Sequence, residues 1–230
     1  MSAPALAVVS STAMREALEA LVPRFEQAHG RTVALGFFSG AVLPVKIREG
    51  MPADLVIATP ETIATLIADG RLVAGSRVDL VRSRVGVAVR TGAPKPDIAT
   101  PDAFKAALRA ARSVGISRGP SGVYLMSLLE RLGIADEIKA KAVTPEPGQR
   151  VGSVVASGAA EIGIQQVAEL LPIPGIDYVG PLPDALQTEI VYAAARPVAV
   201  AQPDAAAALV AFLTSETVAP ILRGLGLEPA

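Results

Sequence analysis

Cysteine and tryptophan are absent from these 230 residues, and histidine occurs once. Without cysteine there are no disulfides, no thiolate nucleophiles and no zinc ribbons, and the redox compartment is left unspecified. His29, in "EQAHGR", has no partner at ligand spacing, so neither a histidine triad nor a zinc site is expected and the residue reads as a helix-end cap. An excess of one charge is also missing, with 21 Lys and Arg against 22 Asp and Glu. That balance gives no electrostatic footprint for nucleic acid or an anionic membrane surface. No GxGxxG follows a strand and no GxxxxGK[ST] occurs, so nucleotide phosphates have no recognised cradle. The serines of "GSVVASG" at 152–158 lack the GxSxG spacing of a nucleophile elbow. Asp54 and Glu161 each stand at the start of an apolar run, where a carboxylate reads as an edge or capping group rather than as half of an acid/base pair.

About half of the chain is hydrophobic but only 3% is aromatic. The core must therefore be built from Ala, Val, Leu and Ile, a composition suited to parallel sheets covered by helices, and the expected class is α/β. The order of elements agrees. "ALAVV" at 5–9 runs into Ser10, Ser11 and Thr12, after which Met14, Leu18, Leu21, Val22 and Phe25 recur at helical spacing and Gly30 closes the helix. "TVALGFF", Ser39-Gly40 and a helix at 41–49 repeat that grammar, as do "DLVIA" and a helix opening at Thr59-Pro60. A second series begins with the strand "VGVAVR" at 85–90 and continues through "SVGI" and "EIGI"; two helices over 203–224 close the chain. The division expected is one lobe at 1–82 with 193–230 and an inserted lobe at 83–192, joined by two extended segments that form a hinge. Each lobe is expected to be a mainly parallel sheet flanked by helices.

The positions that could bind something are the junctions where strands give way to helices: Ser10-Ser11-Thr12, Ser39-Gly40 and Ser117–Gly122. The first N–H groups of a helix have no intrahelical partner and carry a partial positive charge, so such junctions hold anions without fixed cations. "SRGPSG" adds Arg118, whose guanidinium can supply a charged fork. The guest expected in the cleft between the lobes is a small anion.

The stretches "VVSSTAMREALEAL", "REGMPADLVIAT", "GPSGVYLMSLLERLGI" and "AAEIGIQQ" resemble the molybdate-binding proteins of ABC transporters, within the type II periplasmic binding protein fold, and the likeness covers nearly the whole chain. It implies a two-lobed receptor that captures an oxyanion and presents it to an ABC permease. The family holds its ligand with two serine hydroxyls of the first lobe, main-chain amides of the second and a tyrosine hydroxyl. Carried across by position, the amides fall on Ser121 and Gly148, the serines on Ala13 and Ala41, and the tyrosine on Gln166. At 12–13 and 40–41 the backbone N–H groups remain as donors beside Ser10, Ser11, Thr12, Ser39 and Gly40. Each lost hydroxyl removes about 1.5–3 kcal/mol if the ligand is charged, so molybdate is expected to bind more weakly than a small organic acid or another anion. The Gln166 amide suits a carboxylate as well as an oxyanion; its other reading is a polar strand end in solvent.

The expectation from sequence is thus a solute-binding protein without enzymatic activity, metal or cofactor, working as a monomer with a small anionic ligand and an ABC permease. The alternative is a cytoplasmic anion sensor that signals to a protein partner. As the chain begins, with "MSAPALAVVSS" and no basic segment before its first apolar run, it reads as cytoplasmic, or as periplasmic if a signal has been removed.

Overall fold

The computed structural model of the chain describes residues 4–146 and 148–230; the first three positions of the first expected lobe lie outside the described residues. In chain order the first elements are β1 (Leu6–Ser11), α1 (Arg15–His29), β2 (Val33–Phe38), α2 (Val42–Arg48), β3 (Leu55–Ala58), α3 (Pro60–Ala68) and β4 (Val78–Arg90). They are followed by α4 (Pro101–Ala110), β5 (Val114–Ile116), α5 (Pro120–Arg131), α6 (Ala135–Lys139), β6 (Ala142–Val143) and α7 (Val151–Ala156). The last are β7 (Ile162–Gln166), α8 (Val167–Leu170), β8 (Ile176–Pro181), β9 (Glu189–Ala195), α9 (Pro203–Leu213), α10 (Ala219–Gly224) and β10 (Leu227–Pro229). Among the described residues no single helix is long and apolar enough to cross a membrane.

The chain divides into two units, Met1–Arg82 with Val191–Ala230, and Ser83–Ile190. In the first, β1 lies between β2 and β3 with both neighbours parallel to it, and β9 joins β3 antiparallel. All four residues of β3 are buried, the pattern of a strand covered on both faces. α1 buries Ala17, Leu18, Leu21, Val22 and Phe25, which share one face of a 3.6-residue period, and the Phe25 ring meets Phe212 of α9 at 5.7 Å. The helix stops where expected, with Gly30 left-handed at φ 61° and His29 stacked on Phe25. α3 and α4 both open on a threonine whose hydroxyl accepts the N–H three residues on, followed by proline.

In the second unit β5 is parallel to both β6 and β7, while β4 runs antiparallel to β7 and to β8. Gly115 of β5 and Gly163 of β7 are register partners. A β-carbon at Gly163 would meet Val155 at 2.5 Å, and one at Gly115 would meet Val151 at 2.9 Å, so glycine at both positions lets α7 lie directly on the sheet. The sequence expectation of mainly parallel sheets thus needs one addition in each unit, the antiparallel returns β9 in the first and β4 with β8 in the second. β4 also begins earlier than "VGVAVR" suggested, at Val78. Its first half sets exposed or half-buried Val78, Asp79, Arg82 and Arg84 against buried Leu80, Val81 and Ser83, a weaker signal than the apolar run that follows.

Candidate functional site

In the first unit the parallel register sets the C-terminal ends of β1, β2 and β3 along one sheet edge, Ser11 opposite Phe38 and Ser10 opposite Ile57. Ser10, Ser11, Thr12 and Ala13 are thereby brought beside Ser39, Gly40 and Ala41. Pairing extends β1 through Ser11, so the first two serines belong to the strand rather than to a loop. Ser10 is fully buried and its hydroxyl donates to Ser11 O at 3.2 Å; Ala13 is buried in the 3₁₀ turn Thr12–Met14. Ser39 O accepts from Val42 N and Leu43 N at 3.0 and 2.9 Å, which closes the start of α2 and leaves the amides of the exposed Gly40 and Ala41 outside those bonds. One charged group here escaped the sequence analysis. The Arg15 guanidinium lies 4.2 Å above the Phe37 ring and its Nη1 donates to Glu19 Oε1 at 3.1 Å. An arginine opening the helix just after a hydroxyl-rich junction was the available signal, but its stacking on a residue of β2 was not.

In the second unit the ends of β5, β6 and β7 also share an edge, because Ile116 pairs with Ile164 and Gly115 with Val143. This edge gathers Arg118, Ser121, the Gly148 turn and Gln166, and the antiparallel pairing of Val85 with Gln166 adds Ser83 and Arg84. A β-carbon at Gly122 would lie 1.7 Å from Ser117 O, so the loop packs against the first turn of α5 in a way only glycine permits. Ser117 and Ser121 hydroxyls meet at 3.0 Å, while Gly119 O accepts from Gly122 N and Val123 N. The Ser121 amide takes no part in those bonds, and Arg118 is exposed beside it. Gly148, at φ 87°, lies in a turn closed by Gln149 N donating to Glu146 O.

The reading of Gln166 as a solvated strand end is corrected. Gln165 and Gln166 are 4% and 1% exposed. Gln165 Oε1 accepts from Val151 N at 2.8 Å, fixing the start of α7, and Gln166 Nε2 donates to Glu169 Oε2 at 2.9 Å. Both lost the solvent reading for one reason: β7 is an interior strand between β4 and β5, so its polar ends must find partners within the protein. Nearby, Arg84 pairs with Asp184. Burial pushes the Tyr178 phenol above the usual tyrosine value, with the Arg84 charge pulling the other way. Ser83 is fully buried and its hydroxyl has no hydrogen-bond partner among the described residues. Among those residues no group of three His, Asp or Glu side chains gathers to hold a metal ion. What the two edges offer is N–H donors and guanidinium groups, the chemistry of an oxygen-rich anion.

Comparison with known proteins fits that chemistry. Residues 6–228 match the family described as bacterial extracellular solute-binding protein. The chain is 37% identical to an aconitate isomerase from Pseudomonas sp over 230 residues, 97% of this chain and 87% of the relative. It is 24% identical to the molybdate-binding protein ModA of Escherichia coli (strain K12) over 202 residues, 86% of this chain and 77% of the relative. The fold is that of the periplasmic molybdate-binding protein of Azotobacter vinelandii, with a TM-score of 0.79 at 24% identity over 96% of this chain and 98% of the other. The resemblance read from the sequence stands. The expectation of a protein without enzymatic activity does not, because a relative aligned over nearly the full chain is an enzyme.

Proposed function

The chain belongs to the bacterial extracellular solute-binding protein family, and we propose that it binds a small unsaturated polycarboxylate of the aconitate type and interconverts its isomers. The observation that carries this reading is Arg118, exposed beside the Ser121 amide on a loop fixed by Gly122, at an edge where the hydroxyl expected at position 166 is replaced by a buried amide. A planar guanidinium matches a carboxylate with two parallel hydrogen bonds, a fork that a tetrahedral oxyanion can also use, so Arg118 supports a charged ligand and the relative's substrate supports the carboxylate. Main-chain N–H groups at the strand ends favour the negative charge that a polycarboxylate carries. The donor sets proposed are Ser11, Thr12, Ala13, Ser39, Gly40 and Ala41 in the first unit, and Arg118, Ser121, Gly148 and Gln166 in the second, with Ser10 supporting Ser11 from within. The similarity to an aconitate isomerase supports the substrate class.

A second reading is capture of a small oxyanion for delivery to an ABC permease, favoured by the similarity to ModA and by the neutral amides of both edges. One experiment separates the two. Purified protein is mixed with cis- or trans-aconitate and followed by NMR, and both isomers and molybdate are titrated by calorimetry. The first reading expects interconversion, and it expects Arg118→Ala to weaken aconitate binding about 10- to 100-fold, the loss of one charge-assisted pair. No interconversion together with nanomolar molybdate binding would establish the second.

A further inference from the structure

We infer that Arg15, seated over Phe37, recognises one carboxylate of the ligand at the edge of the first unit and so sets a preference for polycarboxylates over singly charged acids. This deepens the isomerase reading and rests on it. Arg15 follows directly on the 3₁₀ turn Thr12–Met14, and Phe37 is the register partner of Ser10. The guanidinium therefore lies over the end of β2, whose Phe37 is the register partner of Ser10, and close in sequence to the proposed Thr12 and Ala13 donors. Its Cζ lies 4.2 Å from the centre of the Phe37 ring, and one of its five N–H groups is taken by Glu19. A guanidinium seated over a ring by cation–π attraction keeps its remaining N–H groups for a carboxylate.

The arrangement is pre-organised. An unrestrained surface arginine loses rotamer freedom on binding, while one already fixed by a ring and an ion pair loses less. Neutral amides at Gly40 and Ala41 are enough for one anionic group, so a fixed cation beside them matches a ligand with more than one charge. The corresponding second-unit cation is Arg118, whose loop is fixed by Gly122 rather than by an aromatic ring. Each arginine is thus a separate determinant whose removal can be read on its own.

The test titrates the parent protein, Arg15→Ala, Arg15→Lys and Phe37→Leu with trans-aconitate and with a monocarboxylate such as acrylate, at low and at physiological salt. Arg15→Ala is expected to weaken aconitate binding about 10- to 100-fold while changing acrylate binding by less than about threefold. Arg15→Lys keeps the charge without the fork and should fall between, and Phe37→Leu should cost a few-fold through loss of pre-organisation alone. The salt dependence of aconitate binding should become shallower in Arg15→Ala. Equal losses for both acids would mean a structural role and would overturn the inference, as would aconitate binding in Arg15→Ala within about twofold of the parent. A parent protein that binds no aconitate would instead remove the isomerase reading, and this inference with it.

Discussion

The starts of the strands are tied by a carboxylate in each unit, Asp54 at the head of β3 and Glu161 at the head of β7, in opposite surroundings. Asp54 is 4% exposed, and its two oxygens accept from Ala7 N, Ala201 N and Gln202 N at 2.9–3.0 Å and from the Gln202 side chain at 3.3 Å. It joins β1, β3 and the start of α9. Glu161 is solvent-facing; its Oε2 accepts from Arg112 N at 2.9 Å and Arg112 Nε at 3.1 Å, on an arginine side chain 89% exposed. The connectivity is alike, but the energy attached to it should not be. A buried N–H that loses its acceptor has no water to replace it, whereas an exposed one is rehydrated.

Asp54→Ala is the sharpest way to break the comparison. It leaves three main-chain N–H groups without their acceptor, and the expected loss is about 4 kcal/mol of unfolding free energy, read by urea denaturation. Asp54→Asn should recover part of this, because one amide oxygen still accepts. A loss below about 1 kcal/mol for Asp54→Ala would mean that water reaches the site and that burial does not separate the two ties.

The strand ends reverse the contrast. Gly40, at the first-unit edge, has nothing within 4 Å of where a β-carbon would stand, while Gly122 in the second has a carbonyl oxygen at 1.7 Å. Gly122→Ala must displace the Ser117–Gly122 loop, at an expected cost of about 3 kcal/mol and, on the function proposed above, with loss of anion binding at Arg118 and Ser121. Gly40→Ala should stay within about 0.5 kcal/mol of the parent. Thermal denaturation of the two variants side by side checks this, and equal shifts would show that the loop can move aside without cost.

These pairs also show where the sequence was informative. The strand, junction and helix order was legible because apolar period and Ser, Thr, Gly and Pro punctuation are local, and the expectation of edge or capping carboxylates before apolar runs meets Asp54 and Glu161 accepting main-chain N–H groups at the heads of interior strands. The molybdate-binder resemblance was carried by similarly local stretches. What stayed hidden depends on partners distant in sequence or on packing. Gln166 looks like a strand end in solvent until β4 and β5 are placed on either side of β7. Arg15 looks like any helix-opening cation until β2 brings Phe37 beneath it, and the need for glycine at 122 arises from a backbone approach that no composition reveals. The similarity to an enzyme was hidden for another reason: histidine, metal and nucleophile motifs are missing from the sequence, and N–H donors and guanidinium groups leave none of these marks.

The smallest effect belongs to Glu161. The Arg112 N–H first, and the Arg112 side chain second, hold its carboxyl below the usual carboxylate range, against a small opposing effect of burial. Since the folded-state value lies below the unfolded one, the stabilisation is present above the ordinary range and is lost as pH falls through the folded-state value. Solvent screening keeps it small, under about 0.5 kcal/mol for so exposed a pair. Glu161→Gln retains an oxygen for the Arg112 N–H and removes only the charge. The parent and the variant should therefore differ slightly in urea midpoint near pH 7 and converge as the pH falls through the lowered folded-state value of Glu161. If the gap between them widened on acidification, the charge would be destabilising at neutral pH, and the exposed tie of the second unit would work through its hydrogen bonds alone.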